Sequence, residues 1–570
     1  MAITIIKDSL IQRFRTQSPW VIFYFTFWIG YFSYFWLFVF EYNQQGGLTV
    51  GQANMWADWA LHFTMGHAMA YRELFLEQSP LLINSEFSYP FAINLISALL
   101  LKAGMPMIPA FVIPSYLFSI LIVFALYYFL NALFNNKAIA VLGSFLFFFN
   151  GGIGFIYFIQ DVFAANNSWE VLLNPNREYT HIADQQIKWM SIINSIILPQ
   201  RSFTMGFGLT LLALAIVIKS FKLTNKNENS SISKNYYWSA VILGLMPIIH
   251  MHSFLAAFVF LSCWSVSDLI AGEKQQRLYR FKHWGLLAIL TTLFSLPLLY
   301  HYYVGHIGGA FIKWYPGWYA KEFNMDWFLF WFKNWTLVPL LALLGFIFTL
   351  AKAIKTKSMV RPFGLLIPAF ILFAMVNLLI LQPWIWDNTK LLAWVAVVFS
   401  GLTAWLLFKF IKWKDTCFNK NLVTLILIFV NLSGAIDIYR NIGLDNHRFQ
   451  MYSKTELDLA DWVKNNTEID SVWLVANKHN HWLFNLTGRQ AVLTYDGWLW
   501  SHGYDYSQTL NDSKKILKSA DLKLIKKYAI DYIVLDNQVL KENGLSTLIF
   551  NLKFKTVMKK GQYRIFKVES

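Results

Sequence analysis

The sequence predicts a polytopic α-helical membrane protein of about 11 spans with a C-terminal extracytoplasmic α/β domain. Hydrophobic residues make up 56% of the 570 positions and charged residues only 14%, whereas a soluble globular protein carries about 25% charged residues. Charged residues occupy 47 of the first 439 positions but 33 of the last 131. We therefore expect a transmembrane domain (1–439) followed by a domain of ordinary soluble composition (440–570). This composition excludes a soluble enzyme and a disordered chain, and the presence of only two cysteines excludes a disulfide scaffold.

Long apolar runs define the expected membrane helices. A bilayer core is crossed by about 20 apolar helical residues, and backbone polar groups inside it must be satisfied within the segment. The runs lie near residues 20–40, 109–133, 138–159, 203–218, 238–249, 254–270, 286–303, 335–350, 363–381, 391–408 and 422–436. The first run follows basic residues but has no small-residue cleavage site after it, so we interpret it as a retained span.

The net charge of +16 is explained by membrane topology. When the loops are assigned alternately to the two sides, 20 Lys and Arg residues of the membrane domain fall on one side and 9 on the other. Positive residues favour the cytoplasmic side and contact anionic lipid there. The N-terminus is therefore predicted to be cytoplasmic, and the odd number of spans places the C-terminal domain outside the cytoplasm. No nucleic-acid partner is expected.

Two extracytoplasmic loops, at about residues 41–108 and 160–202, are long enough to build a site, and loops of this length are uncommon unless they have a function. The first loop contains Asp58 and His62, which share one face of a helix at spacing i, i+4. This pair could be a base with its orienting partner or half of a metal site. A membrane-surface helix with solvated polar residues explains the same pattern.

Further polar residues fall at the same membrane face. Arg201 lies at the mouth of a span, where its planar guanidinium could bind phosphate or carboxylate or reach the interface as a snorkelling side chain. Asp387 and Lys390 lie in an aromatic-rich hairpin, where they could pair with each other or line a cavity with Arg201. The HMH sequence at 250–252 provides only two histidines, which is weak evidence for a metal site.

The C-terminal domain alternates helical and strand-like segments and ends in a hairpin with Gly561 in its turn. Within it, residues 479–507 are dense in Trp, His, Tyr and Gly. Such a segment suits a sugar-binding face, a lid over the membrane domain or ordinary core packing.

This layout resembles the GT-C superfamily of integral-membrane glycosyltransferases. The resemblance lies in a long first loop with an early acidic residue, Asp58, in the PQRSF and PWIWDNTK segments, and in the order LADWVKNNT, LTGRQAVL, LIKKYAIDYIVLD and YRIFKV along the tail. It implies a GT-C-like fold and transfer of a sugar from a polyprenyl-phosphate-linked donor to an extracytoplasmic glycan, lipid or protein acceptor. It also implies a bacterial inner-membrane protein that modifies cell-envelope glycans or glycolipids.

The resemblance further implies roles for the candidate residues. Asp58 would be the general base or a metal-associated carboxylate, and His62 would orient it. Arg201 and Lys390 would bind the donor phosphate, where negative charge develops on the leaving group, and Asp387 would hold Lys390. A divalent metal ion is the cofactor such a site could use, although the first loop lacks the adjacent acidic pair of several subfamilies.

Two functions of other classes fit the same composition. A transporter or flippase would carry ionisable residues in mid-span and show two related halves, whereas the predicted span interiors are nearly free of charge. A non-catalytic assembly protein would keep the fold without the chemistry. Separation of Asp58, Arg201 and Lys390 beyond one cavity would favour this last function.

Overall fold

The computed structural model describes residues 18–72, 77–188, 191–223, 231–271, 274–304, 312–355, 360–413, 416–542 and 547–569. Within these ranges, eight helices are long and apolar enough to cross a membrane: Pro19–Phe38, Met107–Phe134, Arg201–Ser220, Met251–Ile270, Lys274–Tyr302, Val338–Lys355, Ile385–Trp413 and Cys417–Arg440. The helical membrane domain expected from the sequence is therefore confirmed. The basic N-terminal residues used to predict the topology lie outside the described ranges.

The other three predicted spans correspond to shorter or interrupted helices. These are Lys137–Phe148 with Phe155–Ala164, Tyr236–Gly244 with Met246–Ile249, and Val360–Leu378. The first interruption falls at a glycine-rich segment that packs backbone against backbone. A Cβ atom on Gly154 would overlap the carbonyl oxygen of Tyr179, and one on Gly434 would overlap that of Phe149. The span predicted at residues 138–159 is thus not one continuous helix. At the glycine-rich segment the chain turns and packs on the second loop and the last membrane helix.

Shorter helices complete the two parts of the chain. The membrane part adds Ala53–Tyr71 (the first-loop helix), Ala92–Lys102, Ser168–Leu173, Tyr319–Glu322 and Trp327–Trp335. The C-terminal part contains Lys454–Asn466, Trp482–Thr487, Asp496–Ser501, Ser507–Ser519, Leu522–Lys527, Asn537–Glu542 and Thr547–Lys553. The predicted boundary at residue 439 falls at the end of the last membrane helix.

The C-terminal part is built on a mixed five-stranded sheet. The strands of the described chain are β1 Phe40–Tyr42, β2 Leu48–Val50, β3 His181–Ile182, β4 Ile187–Lys188, β5 Lys313–Trp314, β6 Leu379–Ile380, β7 Phe449–Tyr452, β8 Val472–Leu474, β9 Gln490–Ala491, β10 Tyr532–Leu535, β11 Lys555–Lys560 and β12 Tyr563–Lys567. The five-stranded sheet has the order β11-β12-β10-β8-β9. Strand β10 pairs in parallel with β8 and antiparallel with β12. Gly561 has φ +56° between β11 and β12, as the predicted hairpin requires.

The first loop is joined to the C-terminal part at two places. Strands β1 and β2 form a hairpin, and β2 pairs antiparallel with β7 to give a three-stranded sheet. Farther along the loop, the backbone N–H of Thr494 donates to Leu81 O at 2.9 Å, and that of Ile83 donates to Val492 O at 3.1 Å. The first-loop helix lies between these two attachments in sequence, so they fix its position over the membrane part.

The second loop is held by a buried carboxylate of the last membrane helix. Asp437 is fully buried and accepts hydrogen bonds from the backbone N–H groups of Tyr179 and Thr180 at 2.6 and 3.0 Å. The Thr180 hydroxyl donates to the same carboxylate at 2.6 Å. Closer to the surface, Arg177 makes two hydrogen bonds to Asp161. The two long loops thus have defined positions at the same end of the helical domain.

Candidate functional site

The first-loop helix carries two of the candidate residues. It begins after Gln52, whose side-chain oxygen accepts a hydrogen bond from the backbone N–H of Met55 and so satisfies one of the open donors of the first turn. Most of the helix from Trp59 onward is buried. Asp58 and His62 lie one helical turn apart, as the sequence predicts.

Asp58 is half-buried and, within the described part of the chain, receives no hydrogen bond. Burial raises the pKa of this carboxyl to about 7, the charge of Lys390 lowers it, and the charge of Asp387 raises it. Burial disfavours the charged form of a carboxyl group. A carboxyl that exchanges its proton near neutral pH suits general-base chemistry.

Lys390 and Asp387 form an ion pair beside Asp58. The Lys390 Nζ lies 3.1 Å from Asp387 Oδ1, and the two side chains are 20% and 16% exposed. Their hairpin is fixed by Asn388, which donates to the backbone oxygens of Val376 at 3.2 Å and Leu379 at 2.7 Å. The sequence left open whether Asp387 and Lys390 would pair or line a shared cavity. They pair with each other, and their charges also reach Asp58.

Two residues that the sequence did not single out as site residues are within electrostatic reach of the candidate residues. The Tyr89 and His502 rings meet edge to face at 4.9 Å, and the charges of Lys390 and Asp387 act on His502. Burial raises the pKa of Tyr89, and the charge of Asp58 raises it further. His502 belongs to the aromatic segment 479–507, so the density of His and Trp there was the available signal. The contact itself joins residues more than 400 positions apart.

His252 is a further member of this group. The charges of Lys390 and Asp387 reach it, and its ring lies 5.3 Å from that of His250. The HMH sequence therefore lies within electrostatic reach of the Lys390–Asp387 pair, and its membrane face stays a prediction.

His62 contacts a different partner from the expected one. Its Nδ1 donates to Asn94 Oδ1 at 2.9 Å, because an amide oxygen can only accept. Burial and the charge of Arg201 lower the pKa of His62 to about 3, so the ring is neutral. Within the described residues, His62 makes no hydrogen bond to Asp58. The i, i+4 spacing gave the shared helix face correctly, but Asn94 of the neighbouring helix takes the imidazole N–H.

Arg201 lies in a buried polar network and is 1% exposed. It donates to the hydroxyls of Ser115 at 2.9 Å and Ser97 at 2.6 Å, to Asn94 Oδ1 at 3.0 Å and to the Phe111 backbone oxygen at 3.1 Å. Its guanidinium also lies over the Phe111 ring at 4.8 Å. Four of its five N–H donors thus have protein partners, which gives Arg201 a structural role. Binding of donor phosphate by this residue stays a prediction.

The described residues do not fit a divalent metal ion held by three protein ligands. No group of three His, Cys, Asp or Glu side chains in the described part of the chain converges closely enough. Asp387, the carboxylate nearest to Lys390, is already paired with that ammonium. The cation that this arrangement does offer is Lys390.

No family model and no curated protein matches this chain. Among solved structures, it resembles the Archaeoglobus fulgidus oligosaccharyltransferase in complex with zinc and sulfate, with a TM-score of 0.52 at 11% identity over 90% of this chain and 68% of that one. The two chains share a fold over most of the length of this one. ArnT from Cupriavidus metallidurans gives a TM-score of 0.47 in the apo state, at 10% identity over 96% of this chain and 97% of that one. The same enzyme bound to undecaprenyl phosphate gives 0.46, at 10% identity over 90% and 95%.

Proposed function

We propose that this protein is a membrane glycosyltransferase that moves a sugar from a polyprenyl-phosphate-linked donor to an extracytoplasmic acceptor. The observation that carries the proposal is the half-buried Asp58 beside the Lys390–Asp387 pair. This combines a proton acceptor with a held cation at one membrane face. The acceptor is a glycan, lipid or protein of the cell envelope, and the chain resides in a bacterial inner membrane with its N-terminus in the cytoplasm.

Asp58 and Lys390 have complementary roles in this reaction. The acceptor oxygen forms a bond to the anomeric carbon of the sugar while its proton passes to Asp58. The bond between that carbon and the phosphate oxygen breaks, and its electron pair leaves with the polyprenyl phosphate. Lys390 stabilises the negative charge that develops on the leaving phosphate, and Asp387 holds the ammonium in position through their ion pair.

The position of the cation supports a reaction in which Lys390 takes the place that a divalent metal ion would have. The A. fulgidus oligosaccharyltransferase was solved with zinc and sulfate, which are an electrophilic metal and a tetrahedral anion. Here the three-ligand metal cluster is lacking in the described residues, while an ammonium lies beside the candidate base. We propose that this ammonium contacts the donor phosphate directly.

The relation of Asp58 to Lys390, rather than the position of Arg201, supports an enzyme over a non-catalytic assembly protein. Asp58 lies within electrostatic reach of Lys390, and Tyr89 lies within reach of both Asp58 and Arg201. These electrostatic relations of Asp58, Lys390 and Tyr89 support the proposal. Arg201 lies deeper, among Asn94 and the serines of two neighbouring helices.

The test uses the full-length protein in nanodiscs, with undecaprenyl phosphate as the binding probe and labelled undecaprenyl-phosphate sugars as donors. We expect Lys390→Met to weaken binding of undecaprenyl phosphate at least tenfold, and Asp58→Asn to abolish transfer while binding is retained. Lys321→Met is a matched control, since Lys321 is exposed and lies over the Tyr315 ring. Unchanged transfer in Asp58→Asn would show that Asp58 is not the general base. Absence of both binding and transfer in the wild-type protein would reject the function.

A further inference from the structure

We propose that the Nε2 atom of His502 accepts a hydrogen bond from an O–H group of the acceptor other than the hydroxyl that is glycosylated. This inference rests on the proposed function for the identity of the second substrate. Its structural basis is the position, tautomer and open nitrogen of one histidine.

The segment that carries His502 is fixed to the first loop on both sides. Before it, Thr494 donates from both its backbone N–H and its hydroxyl to the Leu81 carbonyl oxygen, at 2.9 and 3.0 Å. After it, the hydroxyls of Ser79 and Tyr504 are hydrogen-bonded at 3.1 Å. His502 is therefore held against the first loop and is not a feature of a free surface.

The residues on either side of the imidazole set its direction. The short helix Asp496–Ser501 ends at His502, and Gly503 follows with φ +76°, a left-handed conformation that glycine adopts readily. The backbone N–H of Tyr504 then returns to Leu499 O at 2.9 Å. This sharp reversal leaves His502 at the tip of the turn, with its ring against Tyr89.

The hydrogen bond of His502 determines which nitrogen is free. Its Nδ1 lies 2.6 Å from the Trp498 backbone oxygen, and a carbonyl oxygen can only accept, so Nδ1 carries the proton. Burial lowers the pKa of His502, and the ring is therefore neutral. Nε2 then has a lone pair, and no side chain or backbone group of the described residues donates to it. An open acceptor nitrogen of this kind is suited to an O–H donor.

The neighbours of His502 connect its ring to the candidate residues. The charges of Lys390 and Asp387 act on it, and its ring contact, Tyr89, is acted on by Asp58. An acceptor held by His502 would therefore contact the Tyr89 side of the site, while Lys390 contacts the donor phosphate. His502 orients the acceptor through an O–H group that does not react, and Asp58 takes the proton of the hydroxyl that is glycosylated.

Chemical labelling tests the open nitrogen without any assumption about the reaction. Diethyl pyrocarbonate acylates neutral imidazoles that have an accessible nitrogen, and the products are located by mass spectrometry. His283 is the matched reference, because its Nδ1 makes the same contact to the Tyr279 carbonyl oxygen four residues earlier, at 2.8 Å. His481 is the buried reference, since its Nε2 is enclosed. We expect labelling of His502 and His283 but not of His481. An unlabelled His502 under these conditions overturns the inference.

Two substitutions separate hydrogen bonding from packing. His502→Gln keeps an acceptor oxygen on a planar side chain, whereas His502→Phe keeps an aromatic ring against Tyr89 but removes the acceptor. We expect His502→Phe to reduce sugar transfer in membranes at least tenfold, while binding of undecaprenyl phosphate changes less than twofold. His502→Gln should retain several times more activity than His502→Phe. The reverse order would show that the ring only packs on Tyr89, and would contradict the inference.

A control and a separate outcome keep the two proposals distinguishable. His447→Phe alters a half-buried histidine in the turn Leu444–His447 and should leave transfer unchanged. If His502→Phe loses undecaprenyl phosphate binding together with transfer, His502 acts on the donor side and the inference fails, although the proposed function stands. If the wild-type protein binds no undecaprenyl phosphate, the proposed function fails, and the labelling result still decides whether Nε2 is open.

Discussion

The ammonium of Lys390 lies 3.1 Å from the carboxylate of Asp387, three residues earlier in the chain. Both groups also act on Asp58, in opposite directions. One ion pair therefore holds a cation and also modifies the pKa of a neighbouring carboxyl, which burial raises most. This coupling makes the pH dependence of the site the most direct way to examine it.

Replacement of Asp387 by Asn should shift the pH dependence of transfer to lower pH. A general base must be deprotonated, so the rate is expected to rise as the pH passes the Asp58 pKa of about 7. The charge of Asp387 raises this pKa, and its removal lowers it. Lys390→Met should move the rising part of the rate–pH profile to higher pH, because the ammonium lowers the pKa of Asp58. Rate–pH profiles of both variants measure these two shifts. Shifts in the same direction would contradict the assignment of the rising part of the profile to deprotonation of Asp58.

Asp58→Asn should strongly reduce transfer without loss of stability at pH 8. Because burial raises the pKa of Asp58 from 3.8 to about 7, the folded protein binds more protons than the unfolded chain between these values. The contribution of Asp58 to the free energy of unfolding therefore falls as the pH rises through this window. The neutral amide of Asp58→Asn has no charged form for burial to destabilise. We expect Tm at pH 8 to be equal to or above the wild-type value, with transfer reduced by about 10²- to 10⁴-fold. A lower Tm would mean that the loss of transfer reflects unfolding.

Arg201→Ala should destabilise the membrane domain by about 2–4 kcal/mol, because it leaves buried partners without their donor. Asn94, Ser97 and Ser115 would each lose a hydrogen bond. Arg201→Lys should recover only part of this loss, since an ammonium cannot donate in four directions. Thermal unfolding in detergent measures the effect. Arg177→Ala is the control, because its ion pair with Asp161 is 40% and 23% exposed, and such pairs contribute about 0–1 kcal/mol.

Gly154→Ala should prevent normal packing of the second loop. A Cβ atom at this position would overlap the carbonyl oxygen of Tyr179, a backbone atom that cannot rotate away. Gly30 offers the opposite environment, because nothing lies within 4 Å of its Cβ position. Gly30→Ala in the first membrane helix should therefore be neutral or stabilising by about 0.5–1 kcal/mol. Yield of folded protein and Tm distinguish the two variants, and equal behaviour would mean that the chain can move away from Tyr179.

Chelation should leave binding of undecaprenyl phosphate unchanged. The cation proposed to contact the phosphate is the Lys390 ammonium, and the described residues provide no cluster of three metal ligands. We expect the binding constant to change less than twofold after EDTA treatment and dialysis, and to fall in Lys390→Met under the same conditions. A large loss on chelation, recovered with zinc or magnesium, would assign the phosphate contact to a metal ion.

The sequence predicted those features that depend on local patterns. Apolar runs predicted most of the membrane helices, the i, i+4 spacing predicted the shared helix face of Asp58 and His62, and the hairpin sequence brought Asp387 next to Lys390. The sequence did not predict His502 or Tyr89 as site residues, because their contact depends on how the tail packs on the first loop. The burial of Arg201 was equally hard to foresee, since its partners are small polar residues on other helices.

The interruption at residues 149–154 illustrates a similar limit. Hydropathy there resembles that of a continuous span, and the glycines alone do not reveal whether the helix will end. The decisive factor is the approach of two backbones, in which Gly154 meets Tyr179 and Gly434 meets Phe149. A close approach of this kind depends on tertiary structure, and only the assembled helices make it visible.

The pairing of β2 with β7 has a consequence for engineering. Strand β2 belongs to the first loop and β7 to the segment after the last membrane helix, and residues 81–83 and 492–494 are hydrogen-bonded as well. A chimaera that exchanges only the tail for that of a related protein would inherit mismatched strand edges. The exchangeable module is the tail together with residues 40–91. Chains of this architecture that recombine would therefore be expected to exchange both segments together.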